Sequence, residues 1–352
     1  MRKWKTTKKI IAISALVAAL GIFAVGCGSN GQKNDSNSAS NTSSESKKED
    51  LKVVRIAGAG IDSNGNVVLP GSAQLAQNQG FIDEELKAVG YKAEYSGFQN
   101  AGVGVNEALA SGQADIAVYG DFPAVTYISN GNDAKIFGIS TSRNQMAIYA
   151  KNEIKSVKDL KGKKIGTTIG TNAYYYLEKE LQENGLKISD VEVVNASTDV
   201  ISLFTSGEID AICNTPQLYW LLEAQKAGHV ISVNGDDDKL STSHVVIGRT
   251  DFLKENPEVS GAIVKALEKA KEWAEANEDK VYEVLSDLSG GNYTKDNYKD
   301  YYSFEDGFKD MTPYIQKTDI EHLQSVADFM FNNKYIKTKI DVSKSIDDSI
   351  QK

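Results

Sequence analysis

The sequence is poor in the residues that build metal centres, disulfides and nucleophilic sites. Its 352 residues include only two cysteines and three histidines. His229, His244 and His322 lie far apart, without the short spacing that metal ligands usually show, so we expect no metal site and no cofactor. Cys27 is expected to be lipidated, as described below, which leaves Cys213 as the only free cysteine in the rest of the chain. No intramolecular disulfide can therefore form in that part.

Arginine and positive charge are also scarce. Beyond residue 50 the chain contains only Arg55, Arg143 and Arg249. The formal net charge is −9, and removal of the five basic residues of the leader would move it to −14. An acidic chain is repelled by a phosphate backbone, so we expect no nucleic-acid partner. The loop at Gly170 does not end in Gly-Lys-Ser/Thr, so it is not a phosphate-binding P-loop.

The first 26 residues are typical of an export signal. Residues 1–9 are basic, and Ile10–Val25 is an uncharged apolar run. This run is shorter than the roughly 20 residues of a membrane-spanning helix, and a retained anchor helix is the alternative. Ala24–Cys27 resembles the bacterial lipobox, with alanine in place of the commoner leucine. We therefore expect a lipoprotein signal peptide over residues 1–26, and lipidation of Cys27 on the outer face of the bacterial cytoplasmic membrane.

The chain after the leader divides by composition. Residues 27–51 are rich in Ser, Asn, Gly, Lys and Glu. Such a segment cannot bury enough apolar surface to offset its ordering entropy, so we expect a flexible, disordered tether. Further on, short apolar strands alternate with amphipathic helices, which indicates open α/β sheets. We expect residues 52–143 and 246–352 to form lobe 1, and residues 144–245 to form lobe 2.

One internal repeat favours two lobes of similar plan. Ser111–Asp115 and Ser206–Asp210 each place a glycine at the end of a predicted helix and an aspartate before a predicted strand. Each strand then leads into a helix start that contains a proline, Pro123 or Pro216. The alternative explanation is local, because any helix-to-strand turn favours glycine.

The segment Thr167–Tyr174 is the best single candidate for ligand binding. It follows a predicted strand and opens a long predicted helix, Asn172–Asn184. Ligands of open α/β sheets bind beyond the carboxyl ends of the strands. The first amides of a helix lack internal partners and lie at the positive end of its dipole, so they can bind an anion. Thr171 and Asn172 either contact the ligand or only cap the helix.

Loops of both lobes supply the other candidates. Arg143, near the crossover between the lobes, is the only candidate for a charged clamp, with a solvated arginine as the alternative. Asp121 is expected to cap the helix that contains Pro123, and contact with a ligand amine is its alternative role. The predicted ligand-binding residues are Gly58, Asp62, Phe98, Gly120, Asp121, Phe122, Thr141, Arg143, Thr168, Gly170, Thr171, Asn172, Asn214 and Thr215.

Several segments carry a resemblance to a known family: Glu107–Ile116, Gly120–Pro123, Asp159–Gly166, Gly170–Asn172 and Gly207–Ala211. They resemble the solute-binding proteins of the aliphatic sulfonate, taurine and nitrate importers, which are related to the thiamine-pyrimidine precursor binders. The resemblance extends over almost the whole chain after the tether. One departure is the lack of the tryptophan that the taurine and sulfonate binders usually have just after the last of these segments.

The resemblance implies a two-lobed α/β fold of the type II periplasmic-binding-protein class, with an open mixed sheet flanked by helices in each lobe. It implies a monomeric, non-enzymatic component of an ABC importer. Such a protein captures a small organic anion of the aliphatic sulfonate or taurine class and delivers it to permease subunits that work with a cytoplasmic ATPase. Gly170–Asn172 would contact the acidic group of the ligand, and the Gly120-Asp121 and Asn214-Thr215 loops would form opposing walls.

Three alternatives remain open from the sequence. One is a binder of a thiamine-type pyrimidine precursor or a nitrate-like solute on the same fold. Another is a desulfinase-like enzyme that uses Cys213 as its nucleophile. The third is a lipoprotein sensor or adhesin that binds a partner protein.

Overall fold

The computed structural model describes residues 50–61, 65–98, 100–234, 242–302, 308 and 311–350. The predicted signal peptide, Cys27, nearly all of the tether and the ligand candidate Asp62 lie outside these residues. No helix in the described ranges combines the length and the apolar character that a membrane crossing requires.

Strands occupy short segments throughout the first two thirds of the chain. They are β1 (Lys52–Gly58), β2 (Gly60–Ile61), β3 (Val67–Val68), β4 (Tyr91–Gly97), β5 (Ile116–Gly120), β6 (Ala134–Asn144), β7 (Ala147–Ala150), β8 (Lys164–Thr167), β9 (Glu192–Asn195), β10 (Ala211–Asn214), β11 (His229–Val233) and β12 (Thr242–Arg249).

Helices alternate with the strands and then make up most of the chain after β12. They are α1 (Ser72–Asn78), α2 (Phe81–Ala88), α3 (Gly102–Ala110), α4 (Asp121–Ser129), α5 (Asn172–Glu183), α6 (Val200–Ser206), α7 (Gln217–Ala224), α8 (Thr250–Glu255), α9 (Pro257–Ala276), α10 (Glu278–Leu288), α11 (Lys295–Tyr302) and α12 (Lys317–Asn332).

The two large sheets share one strand plan. The first has the order β4-β1-β5-β12-β6, and the second has the order β9-β8-β10-β7-β11. In each order the first three strands are parallel, the fourth is antiparallel to the third, and the fifth is antiparallel to the fourth. We call the first sheet with α1–α4 and α8–α12 lobe 1, and the second sheet with α5–α7 lobe 2.

The predicted internal repeat has the same hydrogen bonds in both lobes. Asp115 exchanges backbone and side-chain bonds with Arg55: its amide donates to the Arg55 carbonyl at 2.9 Å, and its Oδ2 accepts from the Arg55 amide at 3.0 Å. Asp210 does the same with Lys164, at 2.8 and 3.0 Å. The glycine before each aspartate ends its helix with a positive φ, 73° or 86°. The repeat therefore reflects one structural plan used twice.

Alternating side chains of each strand build separate cores on the two faces of the sheet. In lobe 1, Val54 and Ile56 of β1 pack under α1, α2 and α9, whereas Ala57 packs with α3, α4 and α12. Lobe 2 likewise has a core on each face of its sheet. The chain leaves lobe 1 after β6 and returns at β12, and the two crossings lie side by side because Thr242 pairs with Asn144.

Candidate functional site

A cavity of about 540 Å³ lies where the chain crosses between the lobes. Lobe 1 contributes the segments Ala59–Gly60 and Val68–Gly71 to its lining. The crossing strands contribute Thr141, Arg143 and Asn144 from β6, and His244 from β12. Lobe 2 contributes Asn214 and Thr215 at the end of β10, with Gln217 at the start of α7. The cavity therefore lies at strand ends of both lobes, where open α/β sheets bind ligands.

Helix α11 gives the cavity an aromatic wall. Its residues Tyr298, Tyr301 and Tyr302 line the cavity beside Leu285 of α10. Behind this wall, Trp220 of lobe 2 makes edge-to-face contacts with Tyr298 and Tyr301, at ring-centroid distances of 5.4 and 6.4 Å. Burial raises the pKa of Tyr298, Tyr301 and Tyr302, so all three are neutral phenols near pH 7. The wall is thus aromatic, with neutral hydroxyl groups.

Arg143 supplies the charged side chain among the described lining residues of the cavity. Among its lining residues that the structure describes, none is Asp or Glu, and Arg143 is the only lysine or arginine. Burial lowers the pKa of His244 to about 4, against a smaller opposite effect of Asp121, so its imidazole is neutral at pH 7. The Arg143 side chain is exposed at the cavity, which suits an anion that arrives from solvent.

Three buried polar atoms of the lining have no hydrogen-bond partner in the described part of the chain. They are Nδ2 of Asn144, Oε1 of Gln217 and Nδ1 of His244. Unpaired polar atoms in a buried position are uncommon and costly, at about 1–3 kcal/mol each. Each therefore suits a polar group of a bound solute. By contrast, the Asn214 and Thr215 amides already donate to the Tyr219 hydroxyl and to Oδ1 of Asn214.

The start of α5 contacts lobe 1 directly. Asn172 is buried, its Nδ2 donates to the Ser243 carbonyl at 2.9 Å, and its Oδ1 accepts from the Phe122 amide at 3.3 Å. A β-carbon on Gly120 would lie only 2.3 Å from Oδ1 of Asn172, so the absence of a side chain at Gly120 allows this approach. We call these bonds the Asn172 contact. The cavity lining includes none of the four predicted contacts at the start of α5, which are Thr168, Gly170, Thr171 and Asn172.

The threonines before α5 are bonded within lobe 2. The Thr168 hydroxyl donates to the Ala196 carbonyl at 2.8 Å, and the Thr171 hydroxyl donates to the Thr168 carbonyl at 2.6 Å. Thr171 occupies the N-cap position of α5 without a side-chain cap bond. Their role as ligand contacts stays a prediction.

Asp121 is the centre of a buried polar cluster. The prediction that it caps α4 is wrong, because α4 begins at Asp121 and Gly120 takes the N-cap position. Its Oδ2 accepts from the Ser243 amide at 2.7 Å and the Ser243 hydroxyl at 2.9 Å, and lies 2.6 Å from Nε2 of His322. Burial alone would lower the pKa of His322, but the hydrogen bond and charge of Asp121 outweigh this and raise it. With no exposed surface, Asp121 serves the packing of α4, β12 and α12.

Of the predicted ligand-binding residues, Thr141, Arg143, Asn214 and Thr215 line the cavity. Gly58, Phe98, Gly120, Asp121 and Phe122 do not, and a β-carbon on Gly58 would lie 2.8 Å from the Leu69 side chain.

Sequence reasoning did not select the residues with unpaired polar atoms or the α11 tyrosines. Asn144 and Gln217 each lie within two residues of a predicted ligand contact. The predicted contacts at the end of β6 and in the loop after β10 therefore pointed to the correct segments. The spacing of the histidines argues against a metal site at His244 but does not indicate a solute contact there. Nothing in the local pattern of α11 indicates that Tyr298 and Tyr301 reach the cavity.

Cys213 lies in the core of lobe 2 and does not suit a nucleophile. Its side chain has no exposed surface, and its Sγ donates to the Ala173 carbonyl at 3.2 Å. Burial raises the pKa of the thiol well above its usual value, which disfavours the reactive thiolate. The alternative of a desulfinase-like enzyme based on this residue is therefore not supported.

Known proteins resemble this chain in sequence and in fold. The sequence model of the family described as NMT1/THI5 like matches residues 72–281. A Bacillus subtilis (strain 168) protein named for binding aliphatic sulfonates is 29% identical over 344 residues, which cover 96% of this chain and 94% of that protein. The periplasmic sulfonate-binding protein SsuA of a Methylobacillus flagellatus KT sulfonate ABC transporter matches with a TM-score of 0.69 at 28% identity, covering 85% of this chain and 92% of its own.

The same fold also occurs in an enzyme. The desulfurization enzyme DSZB matches with a TM-score of 0.60 at 13% identity over 85% of this chain and 97% of its own, which is a likeness of fold alone. The relatives that share more sequence are solute-binding proteins. The periplasmic-binding-protein fold predicted from the sequence is thereby confirmed.

Proposed function

Because the chain belongs to the NMT1/THI5-like family, whose sequence model matches more than half of its length, we propose that it is the extracytoplasmic solute-binding component of an ABC importer. Its solute is a small organic anion of the aliphatic sulfonate class. The observation that carries this proposal is the cavity between the lobes, with Arg143 as its only lysine or arginine and no carboxylate among its described lining residues. Relatives that cover most of the chain are named for sulfonate binding.

The sulfonate group binds at the Arg143 side of the cavity. A sulfonate stays ionised at every physiological pH, and it needs several donors for its three oxygens. Thr141 and Thr215 are hydroxyl-bearing residues of the same lining. Hydrogen bonds to a charged group contribute about 1.5–3 kcal/mol each. A few such bonds, with burial of the carbon chain, suffice for micromolar affinity, which corresponds to about −8 kcal/mol.

Binding and delivery follow from the two lobes. The solute bridges residues of both lobes, so it favours a closed arrangement over an open one in proportion to its differential affinity. The closed monomer then docks on the permease subunits. Lipidation of Cys27 and the tether of residues 27–51 hold it at the outer face of the cytoplasmic membrane, which raises its effective concentration near the permease.

A ligand panel on the purified chain tests this proposal. Thermal unfolding is measured with ethanesulfonate, taurine, nitrate and a hydroxymethyl aminopyrimidine, because a ligand that binds only the native state raises its melting temperature. Ethanesulfonate is expected to raise the melting temperature, and Arg143→Gln to weaken its binding at least tenfold. Lys161→Gln is the matched control, because it also replaces one positive charge with glutamine. Lys161 is exposed and lies outside the cavity lining. No response to any sulfonate would reject the proposed solute class.

A second candidate is a pyrimidine precursor of the thiamine type. The uncharged polar atoms of Asn144, Gln217 and His244 beside aromatic side chains favour it. A shift with the aminopyrimidine and none with the sulfonates would select this candidate.

A further inference from the structure

The three unpaired atoms of the cavity belong to three different elements. Asn144 ends β6, His244 lies on β12, and Gln217 begins α7 of lobe 2. Asn144 is 4% exposed, and the Gln217 side chain also hydrogen-bonds Tyr301 of the aromatic wall. Arg143 and these atoms are thus two separate sets of polar groups in one cavity. A sulfonate satisfies the first set, so the second requires another polar group on the same solute.

The chemistry of the second set selects an uncharged group. Asn144 Nδ2 can only donate, and Gln217 Oε1 can only accept. A hydroxyl both donates one hydrogen bond and accepts others, so it satisfies the two at once. An ammonium, as in taurine, would donate to Oε1 but cannot accept, so it would leave Nδ2 of Asn144 without a partner. These two atoms therefore favour a hydroxyl over an ammonium.

The size of the cavity and its tyrosine wall favour a solute that contains an aromatic ring. A volume of about 540 Å³ is within the range of sites that enclose drug-sized ligands. A two-carbon sulfonate would leave much of this volume unfilled. Tyr298, Tyr301 and Tyr302 present aromatic surface, which favours an aromatic partner in offset or edge-to-face packing.

From these observations we propose that the natural solute is a hydroxylated arylsulfonate. Its sulfonate binds at Arg143, its ring packs against the α11 tyrosines, and its hydroxyl bonds Asn144, Gln217 and His244. This inference rests on the proposed function and narrows its solute from sulfonates in general to one chemical class. Because Gln217 belongs to lobe 2 and the other two residues to the crossing strands, the hydroxyl also ties recognition to closure of the lobes.

Isothermal titration of the purified chain with four sulfonates tests the inference. We expect 4-hydroxybenzenesulfonate to bind at least tenfold more tightly than benzenesulfonate, a difference of about 1.4 kcal/mol. Benzenesulfonate should in turn bind more tightly than ethanesulfonate, and taurine should bind most weakly. If ethanesulfonate or taurine binds as tightly as the hydroxylated aryl compound, the inference is overturned and the proposed function stands. If no sulfonate binds, both fail.

Two variants locate the preference. Gln217→Leu and Asn144→Leu should each reduce the preference for the hydroxylated compound to about threefold or less, with the affinity for benzenesulfonate nearly unchanged. Gln225→Leu is the matched control for the first, because Gln225 follows α7, is exposed and lies outside the cavity lining. The readout is a ratio of two affinities in one protein, so a general loss of stability does not imitate it. A preference that survives in both variants contradicts the assignment of these residues.

Discussion

The Asn172 contact gives a prediction that depends on interatomic distances across the two lobes. Gly120 has φ −63° and ψ 150°, a backbone conformation that alanine adopts without strain. A β-carbon there would nevertheless lie 2.3 Å from Oδ1 and 2.7 Å from Cγ of Asn172. Gly120→Ala must therefore displace the Asn172 amide, and the expected cost is that of overpacking, about 1–3 kcal/mol of unfolding free energy.

Asn172→Ala perturbs the same contact in another way. The Ser243 carbonyl loses its donor at 2.9 Å in a buried position. The Phe122 amide loses a weaker bond at 3.3 Å but keeps Oδ1 of Asp121 at 2.7 Å. One buried acceptor is left without this partner, so the expected cost is about 1–3 kcal/mol.

The double variant is the informative one. With alanine at position 172 the amide is gone, so the β-carbon added at Gly120 has room and costs almost nothing. Urea unfolding followed by tryptophan fluorescence should give a double-variant cost at least 1 kcal/mol below the sum of the two single costs. Gly261→Ala is the control: Gly261 lies within α9 with open space around its β-carbon position, so alanine should be neutral or stabilise by up to about 1 kcal/mol. Additive single effects would refute the contact.

Three further predictions concern buried side chains. Native Cys213 should resist a thiol reagent such as DTNB until the protein unfolds, because its sulfur is fully buried; fast labelling of folded protein would contradict its core position. Asp115→Asn should lower the free energy of unfolding in urea by about 2–3 kcal/mol, and Asp210→Asn should lower it clearly less. The reason is that the Asp115 carboxylate is 2% exposed and binds an arginine, whereas the Asp210 carboxylate is 28% exposed. Equal costs would contradict this ranking. Because the pKa of His322 is raised in the folded state, its stabilisation is complete below about pH 6.5 and is lost as pH rises through the folded pKa. The melting-temperature difference between wild type and His322→Asn should therefore shrink from pH 6 to pH 9, and a difference that grows would contradict the His322–Asp121 bond.

Local signals predicted the plan of each lobe well. The glycines after α3 and α6 adopt positive φ, and the aspartates that follow them make the same bonds to a neighbouring strand. Both features depend on residues close in sequence or on one adjacent strand. A sequence pattern can therefore report them, and the repeat around Asp115 and Asp210 did so.

The site was predicted only in part because its geometry depends on contacts between lobes. A free helix N-terminus at Asn172 has the same local sequence whether it meets a solute or the other lobe. What decides is Gly120, more than fifty residues earlier, whose missing side chain admits the Asn172 amide. Likewise, the tyrosines of α11 reach the cavity only because the chain after β12 packs back onto lobe 1 and meets Trp220 of lobe 2. The helix boundary at Asp121 was wrong by one residue, because an aspartate suits the N-cap and the first turn alike.

The place of the bound anion is the claim on which the account depends most. A crystal of the protein with 2-bromoethanesulfonate, measured at the bromine absorption edge, gives that place directly. We predict an anomalous peak inside the cavity between Arg143 and the Asn214-Thr215 loop. A peak at the start of α5 beside Gly170, or anywhere outside the cavity, would contradict the account.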